Sequence, residues 1–410
     1  MILRSTLSLL VIAHLRRDWS MTRNLSALES STIHGSNTIN GSQSSENEKG
    51  HEYRGPKESA ATDGEVNSTQ VARNLQCATS MRRFRDLLNA KHGSKCVDSE
   101  GIDRSPSSPF LSGDAYRSLC PVSFELQNSR CKYLSSETCQ LISAERFHEL
   151  LSYGSCIFVK SDCVDTFHNQ ILPTLKVSIV LVTGNSDYPI SHQKHLGALL
   201  DSSRIIHWYA MNADFQHEKL SAIPLGLENQ RWAKKRPSIE AILNIYEASC
   251  SVASATLKRE KQFALVTFTE QHHPDRKRLL NHLRGAKWTS RVRTTNLAKY
   301  FEEVSNSTYV FCPRGNGYDT HRFWESLYLG STPVVEKSPI GMVSMYDLVG
   351  AVVVNNWTDV SESFLKSVAS GSNSTRSLPD INIEHIESAV DPLWLPFWEK
   401  KILAHKRKNV

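Results

Sequence analysis

Pro313, Arg314, Gly315, Asn316 and Gly317, followed closely by Arg322 and Glu325, are the residues whose types and spacing best suit chemistry. The two glycines would let main-chain amides approach a ligand with no Cβ in the way. Asp319 or Thr320 can cap the helix that follows. Its N-terminus carries a partial positive charge, to which Arg314 and Arg322 add full ones. Such a place suits an anion, above all a phosphate. Glu325 lies one turn after Arg322 on the same helix face, where a carboxylate can accept hydrogen bonds from sugar hydroxyls. The plainer reading of Arg322 and Glu325 is an i,i+3 surface ion pair, worth ~0.2–0.5 kcal/mol to an isolated helix.

The elements that must position these residues read clearly. Tyr309–Glu336 is a strand ending at Cys312, a glycine-containing loop, a helix from about Thr320 to Leu329, a stop at Gly330 and a second apolar strand. On the helix, Trp324, Leu327 and Tyr328 recur at the spacing of a packed face. Before this unit come strand FALVTF from Phe263, a helix over Asp275–Leu283, a strand near Trp288 and a helix over Leu297–Val304. After it come strand AVVV at Ala351 and a helix following Asp359.

The first half repeats the alternation. A helix at Glu145–Leu151 precedes strand CIFVK from Cys156, a helix from Asp165 to about Leu172 and strand VSIVLVTG to Gly184. A helix at Lys194–Leu200, strand RIIHWYA from Arg204 and a short strand near Leu220–Leu225 follow. Strands buried on both faces read as continuous Val, Ile and Leu runs, and helices alternating with them predict two doubly wound α/β lobes. The charged segment 233–261 joins them. The expected organisation is 1–20, a signal sequence or short membrane anchor; 21–118, a disordered Ser/Asn-rich stem; 119–240, the first lobe; 241–380, the second; and 381–410, a C-terminal helix packed on the body.

Composition narrows the setting. Lys+Arg number 48 against Asp+Glu 42, a net +6 spread over 410 residues, so the global footprint of a nucleic-acid binder is missing. The nine cysteines contain no CxxC pair and seven precede residue 164, which suits disulfides in an oxidising compartment. An odd total leaves at least one unpaired or bonded to another chain, and Cys312, at a strand end, reads as a free packed thiol. The apolar run Leu7–Ala13 behind Arg4 matches a signal sequence, although an incomplete membrane anchor or a buried helix start would read similarly. Sequons stand at Asn24, Asn40, Asn67, Asn306, Asn356 and Asn373. His272, His273 and His282 have no companion ligands at metal spacing.

On Pro313, Gly315, Arg322, Glu325, and Gly330 with Pro333, Val334 and Val335, the sequence resembles the exostosin-like glycosyltransferases. TGNSDYPI at Thr183, HEKLSAIPLGLEN at His217 and HPDRKRLL at His273 are similar too, so the likeness covers roughly Cys156 to Leu365. The resemblance implies a GT-B-like architecture, two Rossmann-like lobes facing across a cleft, with the nucleotide-sugar donor on the C-terminal lobe and the acceptor on the N-terminal one. The leaving diphosphate needs positive charge, which Arg314, Arg322 and the helix N-terminus supply, with Arg276 as a second phosphate ligand.

No Asp-x-Asp occurs, so neither metal nor cofactor is expected beyond the co-substrate. Asp187, after the apolar strand, is the preferred base for the acceptor hydroxyl, with Glu228 and His192 in reserve. The expected activity is sugar transfer to a glycan or glycoprotein hydroxyl in the secretory pathway, at the Golgi membrane or lumen, with an anchored or cleaved N-terminus and no nucleic-acid partner. A noncatalytic glycan- or nucleotide-binding protein on the same fold is the alternative.

Overall fold

The structure, a computed structural model, describes residues 68–91, 96–230, 238–250, 261–338, 340–371 and 383–406. All belong to one compact unit, residues 65–410. The chain builds two sheets. The first comprises β1 (Val122–Gln127), β2 (Arg130–Ser135), β3 (Cys156–Lys160), β4 (Ile179–Gly184), β5 (Ile205–Ala210) and β6 (Leu220–Ala222), in the order β2-β1-β3-β4-β5-β6. Only β2 runs antiparallel to its neighbour. The second comprises β7 (Gln262–Val266), β8 (Thr289–Arg291), β9 (Ser307–Phe311), β10 (Thr332–Glu336) and β11 (Val352–Val354), all parallel, in the order β11-β10-β9-β7-β8. These are the two α/β lobes that the apolar runs predict, in the GT-B-like arrangement that the family resemblance implies.

The strands' alternation sorts the core. Ile157, Val159 and Leu181 face one apolar cluster on the outer side of the first sheet. Phe158, Val180 and Val182 face another, which also takes in Leu265, Val310 and Trp324 of the second lobe. That shared core fixes the lobes against each other. A third cluster, with Val266, Phe311 and Val334, covers the far side of the second sheet.

The β1–β2 hairpin turns on Asn128 and Ser129, at φ 48° and 63°, the left-handed pair that a two-residue hairpin requires. Neither strand reads from the sequence: β2 is an edge strand with an exposed and half-buried pattern, and β1, VSFELQ, buries the polar Ser123, Glu125 and Gln127 among its apolar residues.

One boundary needs correction. The expected signal or anchor, 1–20, and stem residues 21–67 lie outside the described residues, but the stem does not reach 118. Helix α1 (Ser68–Lys91) buries Met81, Phe84 and Leu88. The Phe84 ring packs edge-on to Phe110 at 5.5 Å and to Trp394 at 5.4 Å. Residues 96–118 fold around Arg104, which bonds Asp114 at 2.8 Å and Glu125 at 2.5 Å, all buried. Arg117 and Asp98 complete this ionic cluster. Cys96–Cys139 and Cys77–Cys250 tie the segment to the body. Met81, Phe84 and Leu88 do recur at helical spacing, but a buried ion network and crosslinks leave no such pattern over 96–118.

In place of the one expected C-terminal helix, the described tail residues form two, α11 (Ile383–Glu387) and α12 (Leu395–Leu403). Trp394 and Trp398 are buried, and Leu395 N–H donates to the Pro109 carbonyl at 2.9 Å. Cys120–Cys156 and Cys131–Cys163 complete four disulfides, leaving Cys312 free and buried. Among the described residues no helix is long and apolar enough to cross a membrane.

Candidate functional site

The loop 312–320 leaves the carboxyl end of β9 and enters α8 (His321–Tyr328). It lies against the loops that follow β4, β5 and β6 of the first lobe. Asn185 and Asn212 each follow a strand end in the left-handed conformation, at φ 58° and 53°, which Asn tolerates better than most residues. Asn212 Oδ1 accepts from Asp319 N–H at 2.9 Å. Asn316 Nδ2 donates to Asp187 Oδ2 at 3.3 Å.

Neither expected cap acts as one. Thr320 occupies the N-cap position with no side-chain capping bond. The Asp319 carboxylate instead accepts from Leu225 N–H, Thr320 N–H and Trp324 Nε1, each at 2.8 Å, and so pins the first lobe to the second. Burial nevertheless pushes this carboxyl up to about 6.

The glycines also serve a purpose other than the expected cradle. Gly315 N–H is committed to the Gly317 carbonyl at 3.1 Å. At Gly317 a Cβ would meet the Asp187 carbonyl oxygen at 2.5 Å and the Asn212 side chain at 2.7 Å. Glycine there allows the two lobes to touch.

Positive charge gathers at the same loop. Arg276 enters from α6 (Pro274–His282) and its Nε donates to the Arg314 carbonyl at 2.9 Å. A Cβ on Gly315 would lie 3.2 Å from its guanidinium. Burial, and then the Arg322 charge, lower the Arg276 pKa to about 10. Arg314 stacks over the Tyr318 ring, 3.7 Å from its centroid. Arg322 donates to Thr267 Oγ1 at 3.0 Å.

Among the described residues none of these three arginines has a carboxylate at ion-pair distance. Arg278, on the same helix as Arg276, is matched by Asp275 and Glu336. Arg314 Nε and Thr320 Oγ1 are buried with no hydrogen-bond partner among the described residues. Buried polar groups are normally satisfied, so two orphans beside three unmatched cations fit an anionic ligand. A cavity of about 250 Å³ has Arg314 in its wall, together with Tyr318, Lys337, Tyr346 and the carboxylates Asp275 and Glu336.

The remaining candidates divide. Glu325 is buried, at 8% exposure, and its Oε2 accepts from Tyr300 Oη at 2.7 Å. Arg322 and Glu325 therefore bond to different partners. Asp187 is exposed at the seam, while His192 is exposed with its ring 6.2 Å from that of Tyr188. Glu228 lies at the seam too, its Oε2 3.5 Å from Nε2 of His321.

The structure thus brings Arg276, Arg314, Gly315, Asn316, Gly317 and Asp187 together around one loop, with Arg322 alongside. Glu228 stands beside His321, Glu325 faces inward, and His192 joins none of these contacts. Sequence reasoning passed over His321, and with it Asn212 and Tyr300. An Asn one or two residues after an apolar strand, as at 185 and 212, is the readable signal. A larger cavity of about 700 Å³ lies against edge strand β6, with His207, Tyr209, Trp398 and His405 in its wall. None of the candidates lines it, so size does not make it the site.

No known family profile matches the chain, and no curated protein matches it in sequence. Among solved structures, it is similar to a UDP-forming α,α-trehalose-phosphate synthase from Burkholderia vietnamiensis, at 11% identity and TM-score 0.36 over 64% of this chain and 74% of that one. A UDP-GlcNAc 2-epimerase from Methanocaldococcus jannaschii is similar at 9% identity and TM-score 0.28, over 61% and 76%. A GtfA/B complex is similar at 10% identity and TM-score 0.31, over 68% and 62%. These likenesses are distant, and the fold rests on the strand order itself.

Proposed function

We propose that this protein is a glycosyltransferase of exostosin-like type, moving a hexosyl or pentosyl group from a nucleotide-diphosphate sugar to a glycan or glycoprotein hydroxyl. The observation that carries the reading is the set Arg276, Arg314 and Arg322, unmatched by carboxylates among the described residues, around one loop at the carboxyl ends of the second sheet's strands. When the bond between anomeric carbon and phosphate oxygen breaks, charge develops on the leaving diphosphate. Fixed guanidiniums stabilise that charge with little reorganisation, and the proposed step needs no metal. The cavity beside Arg314 suits the nucleoside, and Glu325 the donor's hydroxyls, in exchange for or alongside its bond to Tyr300. Eight paired cysteines favour an oxidising compartment, which supports placement in the secretory pathway.

The test is a panel of nucleotide-diphosphate sugars, applied to the disulfide-intact chain with mixed glycan acceptors. We expect one nucleotide class to bind and be consumed. R322A should lose turnover while melting within a few degrees of wild type. E325Q should lose turnover, and Y300F, which keeps the carboxylate, should retain most of it. Wild-type turnover in both R322A and E325Q sinks the assignment. Nucleotide binding without turnover across the acceptor panel favours the noncatalytic reading.

A further inference from the structure

His321 opens α8, and its two ring nitrogens face different groups of the first lobe. Nδ1 lies 2.8 Å from the Gly226 carbonyl oxygen, and a carbonyl only accepts, so Nδ1 carries a proton. In the neutral ring Nε2 is then the free base. It faces Glu228 Oε2 at 3.5 Å, with the two side chains 33% and 26% exposed. A small hydroxyl can therefore reach the pair. The neighbouring residue diverges, because successive helical residues point about 100° apart: Arg322 turns to Thr267 in the second lobe. One helix start thus directs a cation toward the arginine loop and a base toward the acceptor lobe.

We infer that His321 is the general base of the transfer, oriented by the Gly226 carbonyl, and that Glu228 stabilises the imidazolium it becomes, an assignment that rests on the glycosyltransferase reading above. Nε2 takes the acceptor hydroxyl's proton as the acceptor oxygen bonds to the anomeric carbon. The bond from that carbon to the phosphate oxygen breaks, and its electron pair leaves with the nucleoside diphosphate. The resulting imidazolium is held between the Gly226 carbonyl and the Glu228 carboxylate. Asp187 is the weaker base candidate. Its carboxylate is engaged by Asn316, in the loop that would hold the leaving group. The charged groups facing His321 are Glu228 and, across the turn, Asp319, whose carboxyl senses the ring.

H321N decides the matter, because the Asn amide can still donate to the Gly226 carbonyl but offers no base. With the nucleotide sugar that wild type consumes, H321N should lose about 10²–10⁴-fold in kcat. Its binding of that nucleotide sugar and its melting temperature should stay near wild type. Its residual rate should lack the acid-side fall of the wild-type pH profile. E228Q should retain more activity than H321N and shift that fall.

H321N turnover within threefold of wild type, with an unchanged pH profile, overturns the inference and leaves the glycosyltransferase reading standing. A lower melting temperature together with lost nucleotide binding overturns it in favour of a structural role at the seam. A wild-type chain that consumes no nucleotide sugar removes both readings.

Discussion

Arg276 Nε donates to the Arg314 carbonyl at 2.9 Å, so one arginine of the cluster props the loop that carries another. The arrangement holds like charges close: burial and the Arg322 guanidinium both disfavour the charged Arg276. An anion bound between them relieves that repulsion. Pyrophosphate and nucleoside diphosphates should therefore raise the melting temperature of the wild-type chain. R276M should bind the nucleoside diphosphate about 10–100-fold more weakly, the scale of a lost charge-assisted hydrogen bond. Titration calorimetry checks this; equal affinity in R276M would take Arg276 out of the site.

The two loop glycines separate folding from binding. A Cβ at Gly317 meets main-chain and short side-chain atoms of Asp187 and Asn212 at 2.5–2.8 Å, which cannot swing away. G317A should cost about 1–3 kcal/mol and lower the melting temperature by several degrees. At Gly315 the neighbour is the far end of Arg276, at 3.2 Å. G315A should melt near wild type yet bind nucleoside diphosphate more weakly, because the guanidinium must move. Equal melting of the two variants would contradict the contrast.

That contrast also shows where sequence reading ends. Strands such as IVLVTG and CIFVK were legible because burial on both faces writes a continuous apolar run into the chain. The loop PRGNGYDTH was legible as special, and its arginines as cations, since glycine, arginine and a helix start are local signals. What Gly317 and Asp319 do was hidden, because their partners, Asp187, Asn212 and Leu225, lie in the other lobe. Residues 96–118 are illegible for a related reason, whereas 81–89 is readable as a short helix. Polar residues such as Arg104, Asp114 and Glu125 normally mark solvent, and only three-dimensional pairing permits their burial.

Cys312 gives a chemical test of the cysteine arrangement. Burial pushes its thiol up to about 12, while the other eight cysteines are paired. The thiolate is the reactive form, so the native chain at neutral pH should not react with maleimide. Denatured without reductant, it should take up one equivalent per chain, counted by intact mass. More than one equivalent would mean that a disulfide is open, and labelling before denaturation would mean that Cys312 is reachable.

Asp319 predicts a pH dependence of folding. Three donors, Leu225 N–H, Thr320 N–H and Trp324 Nε1, favour its ionised form, yet burial outweighs them and holds the folded-state value near 6 against an ordinary 3.8. Below about 3.8 the carboxyl is protonated in folded and unfolded chains alike. As pH rises from there the unfolded chain releases this proton first, while the folded chain keeps it until about 6. The folded state therefore binds more protons across that window, and this group's contribution to stability falls with rising pH, levelling off above about 6. D319N has no such proton to lose. The melting temperature of wild type minus that of D319N should therefore decline between about pH 4 and 6 and stay flat above. A difference that instead rises through this window would mean that the three hydrogen bonds prevail over burial and that Asp319 is held ionised at the lobe seam.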